Sequence, residues 1–453
     1  MFRSINPYDG TLNKEIPAWT NLQTDEVLAE VAAITPEWAG TPIHKRCELM
    51  KRASGVLWSR KEELAELITL EMGKLIGEAR AEIEKCAWAC EYYAEHGAAF
   101  LADEIIESDA SRSLVAYQPL GTVLAVMPWN FPLWQVFRFA APGLVAGNTA
   151  VLKHASNVPQ CAQAIESVFV QAGFPENVFR TLLITAGQTA RVIEDPRVHA
   201  VTLTGSEPAG RSVAATAGAS IKKSVLELGG SDPFVVLEDA DLDLAVRNAV
   251  ASRFLNSGQS CIAAKRFIVS TSVADEFVAA FADEVAKLVP GNPMDPDTKF
   301  APMARHDLRD ELHQQVLDSI AKGARAVIGC AAEEGPGAFY QASILDHVKP
   351  GQRAYSEEFF GPVALVIRVA NDEEAVFVAN DSRFGLGGSV WTQDNERGEA
   401  MARRIQSGAV FVNGMVKSDP RLPFGGIKCS GYGRELSRLG IQEFVNAKTI
   451  WIR

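Results

Sequence analysis

From Thr24 to about Ala99, apolar residues return at intervals of three and four, most clearly in ELAELITLEMGKLIGEARAEIEKCAWACEYYAEHG. That spacing predicts a series of long amphipathic helices whose charge-mixed polar faces should be solvated. The period then changes. SRSLVAYQPLGTVLAVMPWNFPLW breaks into short β-rich runs punctuated by Gly and Pro, and TAVLKHA is another short strand of the buried type. VPQCAQAIESVFVQAGFP returns to helical spacing before the strand-like VFRTLLIT, and the alternation continues through AVTLTGSEPAGRSVAATAG and SVLELGGSDPFVVL. Strand and helix in alternation predict an open α/β sheet with parallel strands, and the first half, to about residue 229, has the pattern of a nucleotide-binding domain. After NSGQSC the pattern repeats, with KRFIVS, ARAVIGC, PVALVIRV and GAVFVNG as strands and VADEFVAAFADEVAKLV and DEEAVFVAND as helices. The fold class expected is therefore α/β with two open parallel-sheet units. The last residues, NAKTIWIR, are β-prone and would be an aggregation hazard if left unpaired, so they should pair with something, another subunit being one option.

Composition narrows the function classes. With 453 residues, 47% hydrophobic and 22% charged, the chain can build two or three domains with large cores, and disorder is not a serious reading. Lys and Arg number 44 against 56 Asp and Glu, a formal charge of −12, and no dense basic run occurs. This argues against nucleic acid or an anionic membrane as partner, while leaving room for a local basic pocket that binds a small anion. MFRSINPYDGTLNKEIP lacks the pattern of a signal peptide and no apolar run reaches membrane-spanning length, so a cytoplasmic protein is expected. Seven Cys, at 47, 86, 90, 161, 261, 330 and 429, without CxxC spacing suit free thiols in a reducing compartment. Cys86 and Cys90 are four apart on a helical pattern, but no His or further Cys joins them, and a metal site is not expected.

Five places could carry chemistry. A strict Gly-x-Gly-x-x-Gly is missing, but LTGSEPAG sets Gly205, Ser206 and Gly210 at the mouth of a helix, where backbone amides favour a phosphate; glycines at such turns also occur for steric reasons alone. In MPWNFPLWQ two prolines and two tryptophans surround Asn130. A braced turn of this kind can hold a side-chain amide ready for a developing oxyanion. Glu227, between two leucines in LELGG, should have its pKa raised if its neighbours are apolar, which would suit a general base; a solvent-facing strand end is the competing reading, and Glu358 in YSEEFFGPV has the same ambiguity. Cys261, in RFLNSGQSCIAAKRFIV, is either a buried small hydrophobe or a nucleophile.

PWNFP, LELGG, GQSCIAAKR, EEFFGPV and LPFGGIKCSGYGRE follow in this order over some three hundred residues, and together they resemble the aldehyde dehydrogenase superfamily across essentially the whole chain. GQSCIAAKRFIV and VKSDPRLPFGGIKCSGYGRELS are most similar to its bacterial NAD(P)-dependent succinate-semialdehyde dehydrogenases of the short form. The resemblance implies a dinucleotide-binding domain from residues 1–100 and 119–229, a catalytic domain from 230–428, a return segment at 429–443, and an oligomerisation hairpin and tail strand at 101–118 and 444–453. A homodimer or homotetramer follows from it.

The resemblance also implies roles. Cys261 would attack an aldehyde carbon, the Asn130 amide and the Cys261 backbone N–H would hold the oxyanion, and Glu227 would activate the water that hydrolyses the thioester. Trp129, Lys153, Ser156, Gly187, Gly205, Ser206, Leu228, Glu358 and Phe360 would contact NADP or NAD. At residue 156 many NAD-specific relatives place Glu against the ribose 2′-OH; Ser156 removes that repulsion and Lys153 adds positive charge, so NADP should serve at least as well as NAD. For a small carboxylated aldehyde, Arg138, eight residues after Asn130, would take the distal carboxylate, with Ser418 as a second contact and Phe424 in the pocket wall. Leu255 stands where a second Arg is often found. The other reading of Arg138 is a structural ion pair, and the alternative substrate is another small aliphatic or aromatic aldehyde. Ile262 beside the nucleophile leaves no neighbouring thiol for a protective disulfide.

Overall fold

The computed structural model describes residues 1–453. A hairpin of β1 (Phe2–Ile5) and β2 (Leu12–Ile16) opens the chain, followed by helices α1 (Asn21–Gly40), α2 (Ile43–Ser59), α3 (Lys61–Met72) and α4 (Ile76–Phe100). Strands β3 (Glu104–Ile105) and β4 (Arg112–Pro119) lead into an alternating stretch: β5 (Thr122–Met127), α5 (Trp134–Val145), β6 (Thr149–His154), α6 (Pro159–Gln171), β7 (Phe179–Thr181), α7 (Thr189–Glu194), β8 (Val198–Thr204), α8 (Glu207–Ala219) and β9 (Lys223–Glu227). The second stretch holds β10 (Asp232–Val236), α9 (Leu242–Phe254), β11 (Ala264–Ser270), α10 (Ala274–Val285), α11 (His306–Ala321), β12 (Arg325–Ile328), β13 (Ser343–Asp346) and β14 (Val363–Val369). Short strands β15 (Phe384–Gly385), β16 (Ser389–Trp391), β17 (Phe411–Val412), β18 (Ile427–Lys428) and β19 (Gly431–Tyr432) precede β20 (Val445–Ile452).

Two open sheets result. One runs β19-β9-β8-β5-β6-β7, parallel except for β19; the other runs β12-β13-β14-β11-β10-β16-β17, parallel except for β12. Most of the parallel strands are near-continuous apolar runs because helices cover both faces, as in VALVIRV of β14 and TVLAVM of β5. Parallel pairing also brings the C-terminal ends of β5, β6, β8 and β9 to one edge, which places Asn130, Ser156, Gly205 and Glu227 along it.

The helices and most strands lie where the apolar pattern puts them; the hairpin β1–β2 and the helix α11 were not evident from it. The solvated polar face expected for α4 needs correction. Glu82 is 4% exposed and Lys74 1%, and the two form a buried ion pair. Glu82 also accepts the backbone N–H groups of Leu133 and Trp134 at 2.9 and 3.0 Å, satisfying the orphan donors at the start of α5. The final strand β20 pairs antiparallel with β4 of its own chain, from Val445 opposite Pro119 to Ile452 opposite Arg112. No helix is long and apolar enough to cross a membrane.

Candidate active site

The loop that presents Cys261 is strained and held. Asn256, Ser257 and Gly258, in the turn after α9, occupy the left-handed region in succession with φ of 53°, 53° and 73°. Such residues cost about 1–3 kcal/mol each when they carry a side chain, so their surroundings must fix them. The Asn256 backbone N–H donates to Glu78 at 3.1 Å, its side-chain amide donates to the carbonyls of Asn130 and Gln259 at 2.8 and 3.2 Å, and the Ser257 hydroxyl donates to the Ala301 carbonyl at 2.8 Å. At Gly258 a Cβ would collide with the Gly361 carbonyl. Beyond the thiol, the fully buried Lys265 donates to the carbonyls of Ser260 and Cys261 at 2.9 and 2.8 Å and pairs with Glu358 at 3.2 Å. The sequence reading missed Lys265, which at the start of β11 looks like a strand residue.

Cys261 is partly buried and forms part of the wall of two cavities, of about 350 and 300 Å³. Burial pushes its thiol up to about 11, an effect that Arg138 and Lys265 offset in part. The larger cavity is walled by Phe131, Trp134, Ile262 and Phe424 and carries the polar groups of Lys85, Arg138 and Ser418. The smaller one lies against the C-terminal edge of the first sheet and is lined by Trp129, Asn130, Gly205, Ser206, Leu228, Glu358 and Phe360.

Asn130 is 4% exposed and its Nδ2 donates to the Gln259 carbonyl at 3.1 Å, which fixes the amide and leaves its second hydrogen free. The Cys261 backbone N–H donates to no protein acceptor. Glu227 ends β9 and is buried, not solvent-facing. Burial holds its carboxyl well above the usual range; Glu435 raises it further, while Arg138 and Arg434 oppose. Neither Glu227 oxygen has a hydrogen-bond partner, and the side chain lines neither cavity. Its Oε1 lies where a Cβ at Gly425 would be only 2.7 Å away, so the bare glycine leaves it room.

Arg138 lines the larger cavity but is engaged from behind. It pairs with the buried Glu435, donates from Nη2 to the Thr204 hydroxyl at 3.2 Å, and lies 4.5 Å from the centroid of the Phe424 ring. Nη1 makes no hydrogen bond. The structural ion pair weighed for this residue is therefore present, together with a face on the cavity. Arg253 is fully buried and donates to the carbonyls of Phe359 and Gly361, bracing the segment that carries Glu358 and Phe360. Leu255, 37% exposed, stands in the wall of the larger cavity.

On the cofactor side, Glu358 accepts the Gly230 N–H at 3.0 Å, and the Phe360 and Trp129 rings meet edge to face at 5.9 Å. Gly205 and Ser206 directly precede α8, and the Ser206 side chain does not cap that helix. Lys153, Ser156 and Gly187 are not brought into the smaller cavity: Lys153 is the penultimate residue of β6, half-buried and without an ion pair, Ser156 is exposed two residues beyond the strand, and Gly187 is exposed after β7. These features fit a dinucleotide. An unpaired cation and open helix amides suit phosphate, and an aromatic edge suits a flat ring.

The pattern of the aldehyde dehydrogenase family matches residues 1–450. A probable succinate-semialdehyde dehydrogenase [NADP(+)] of Synechocystis is 52% identical over 449 residues, covering 99% of both chains, and succinate-semialdehyde dehydrogenase [NADP(+)] 1 of Mycobacterium tuberculosis is 49% identical over 454 residues with the same coverage. Among solved structures, succinic semialdehyde dehydrogenase from Streptococcus pyogenes in complex with NADP+ superposes with a TM-score of 0.98 at 38% identity, covering all of both chains. The chain belongs to the aldehyde dehydrogenase family.

Proposed function

We propose that this enzyme oxidises succinate semialdehyde to succinate with NADP+, and accepts NAD+ as well. One observation carries the reading: the Cys261 thiol is common to a cavity with cationic and hydroxyl groups at its wall and to a second cavity with dinucleotide-type lining. The relatives named for this substrate and for NADP(+) point the same way. Aldehyde enters from the larger cavity, and the thiol, protonated at neutral pH because burial raises it, gives its proton to water in the cavity as sulfur bonds to the carbonyl carbon. The oxyanion so formed is held by the second Asn130 amide hydrogen and the Cys261 backbone N–H. Arg138 Nη1 and Ser418 meet the distal carboxylate, and Phe424 shapes the wall between them. Glu358, Phe360, Trp129, Leu228, Gly205 and Ser206 would hold the nicotinamide cofactor, and Lys153, Ser156 and Gly187, along the same sheet edge, would serve its adenosine side. A nicotinamide bound there would supply the acceptor for the hydride expelled from the tetrahedral carbon. A thioester on Cys261 remains, and water attacks it as Glu227 takes the water's proton; the C–S bond then breaks to release the acid, and the Glu227 proton returns to the sulfur to restore the thiol. For that step the Glu227 carboxylate must swing from its place beside Gly425 toward the sulfur.

The apolar wall of Phe131, Trp134 and Ile262 favours a second reading, the same chemistry on a neutral aldehyde. A panel of aldehydes assayed with both cofactors separates them. Succinate semialdehyde with NADP+ should give the highest kcat/KM, the value with NADP+ should at least equal that with NAD+, and Cys261→Ala should abolish turnover. A strong preference for NAD+ would overturn the cofactor assignment, and equal rates with neutral aldehydes the substrate. We further infer a cytoplasmic homodimer or homotetramer, from seven free thiols and the exposed small sheet that ends the chain.

A further inference from the structure

We infer that Lys85, on α4, is a second specificity-determining cation of the larger cavity, its ammonium taking the distal carboxylate of the aldehyde together with Arg138 Nη1 and Ser418. The inference rests on the reading of a carboxylated aldehyde as substrate. Lys85 Nζ donates to Ser418 Oγ at 2.7 Å and lies 4.6 Å from the centroid of the Trp134 ring. An ammonium has three N–H donors, so two remain after that bond. Of the other charged groups buried in the cavity wall, only Arg138 keeps a free donor, Nη1, for the same carboxylate. Glu82 is neutralised by Lys74 and caps α5, Glu78 accepts the Asn256 N–H, and Arg138 is paired with Glu435. Lys417 is exposed. Lys85 alone is a partly buried cation of this cavity with no carboxylate within ion-pair distance.

An unpaired cation against apolar walls is costly unless something brings it a counter-charge. Burial draws Lys85 down to about 8, Arg138 on α5 adds to the effect, and Cys86, Asp419 and Glu82 oppose it. A substrate carboxylate would supply what the fold leaves out. Leu255 offers no charge on its side of the cavity, so the second cation comes from a helix about 170 residues earlier in the chain, beyond the reach of local motif reading.

The test compares succinate semialdehyde with butanal, which has the same four carbons and no carboxylate. In the parent enzyme the ratio of their kcat/KM values should favour the semialdehyde and fall above pH about 8, as Lys85 loses its proton; ionisation of Cys261 affects both substrates and cancels in the ratio. Lys85→Met should raise KM for the semialdehyde roughly 10- to 100-fold, the range of a charge-assisted hydrogen bond, and leave butanal within twofold. Lys85→Arg should keep the preference and abolish its fall above pH 8, because guanidinium stays charged. If Lys85→Met slows both substrates alike, or the pH dependence survives Lys85→Arg, the assignment is overturned while the substrate reading stands. If the parent enzyme itself does not distinguish the two aldehydes, both fail.

Discussion

At the scale of single residues, the question is what each polar group loses when its partner is removed. Asn130 shows how separable catalysis and stability are at this site. Its Nδ2 holds the Gln259 carbonyl, but Asn256 Nδ2 donates to the same oxygen, and the Asn130 Oδ1 is a buried acceptor without a partner. Asn130→Ala thus leaves Gln259 satisfied and removes an uncompensated acceptor, so the thermal midpoint should stay within about 3 °C of the parent. The oxyanion, in contrast, loses a donor, and kcat should fall about 100- to 1,000-fold. Calorimetry and steady-state kinetics on the same preparation check both, and a large loss of stability with little loss of rate would reverse the assignment. Cys261, Asn130 and Glu227 were legible in the sequence because each sits in a short motif whose local chemistry is unusual. Lys265, Glu435 and Lys85 were not. Each meets its partner across the fold, and a lysine on an amphipathic helix gives no local sign of which way it faces. For Lys85 there was one usable signal: Lys74, Glu78, Glu82 and Lys85 recur at helical spacing as a charged stripe, which the sequence reading took to be solvated.

At the scale of elements, most strand and helix positions followed from periodicity, apart from the β1–β2 hairpin and α11, and the parallel pairing it predicted is what brings the ends of β5, β6, β8 and β9 to one edge. What periodicity could not give is the shape of the turn after α9, because left-handed Asn256 and Ser257 are stabilised by groups from α4, from the turn after β5 and from the segment near Ala301. The consequence is a contrast between two glycines of positive φ. Gly323, with φ +97°, has open space around the position of a Cβ, so Gly323→Ala should cost about 1 kcal/mol, the backbone term alone. Gly258, with φ +73°, faces the Gly361 carbonyl, and a methyl there must displace either the nucleophile loop or the segment carrying Glu358 and Phe360. Gly258→Ala should therefore destabilise more than Gly323→Ala and also lower kcat/KM at least tenfold, roughly what a small misplacement of reacting groups costs. Denaturant melts with parallel assays distinguish the two. Full activity in Gly258→Ala would show that the turn does not position the thiol.

At the scale of the whole molecule, both cavities and the thiol between them are built from one chain, yet one part of the fold lacks a core of its own. The sheet β20-β4-β3 leaves Ile105 63%, Ile106 48%, Trp451 50% and Ile452 46% exposed, and of β20 only Val445 joins the main core. A three-stranded sheet in water needs a covered apolar face to be stable, and an eight-residue edge strand invites pairing. β4 already occupies one edge of β20, so the free edge and the exposed Trp and Ile are what a second copy would cover. Light scattering should accordingly give the parent enzyme twice or four times the mass of one chain. The double substitution Trp451→Asp with Ile452→Lys places charge on this surface without touching Cys261, Glu227 or either cavity, and should reduce the mass toward a single chain. Loss of the assembly with the thermal midpoint falling in step would tie the stability of the small sheet to its partner. A parent enzyme of single-chain mass, or a double variant that stays assembled, would show that this sheet is not the interface.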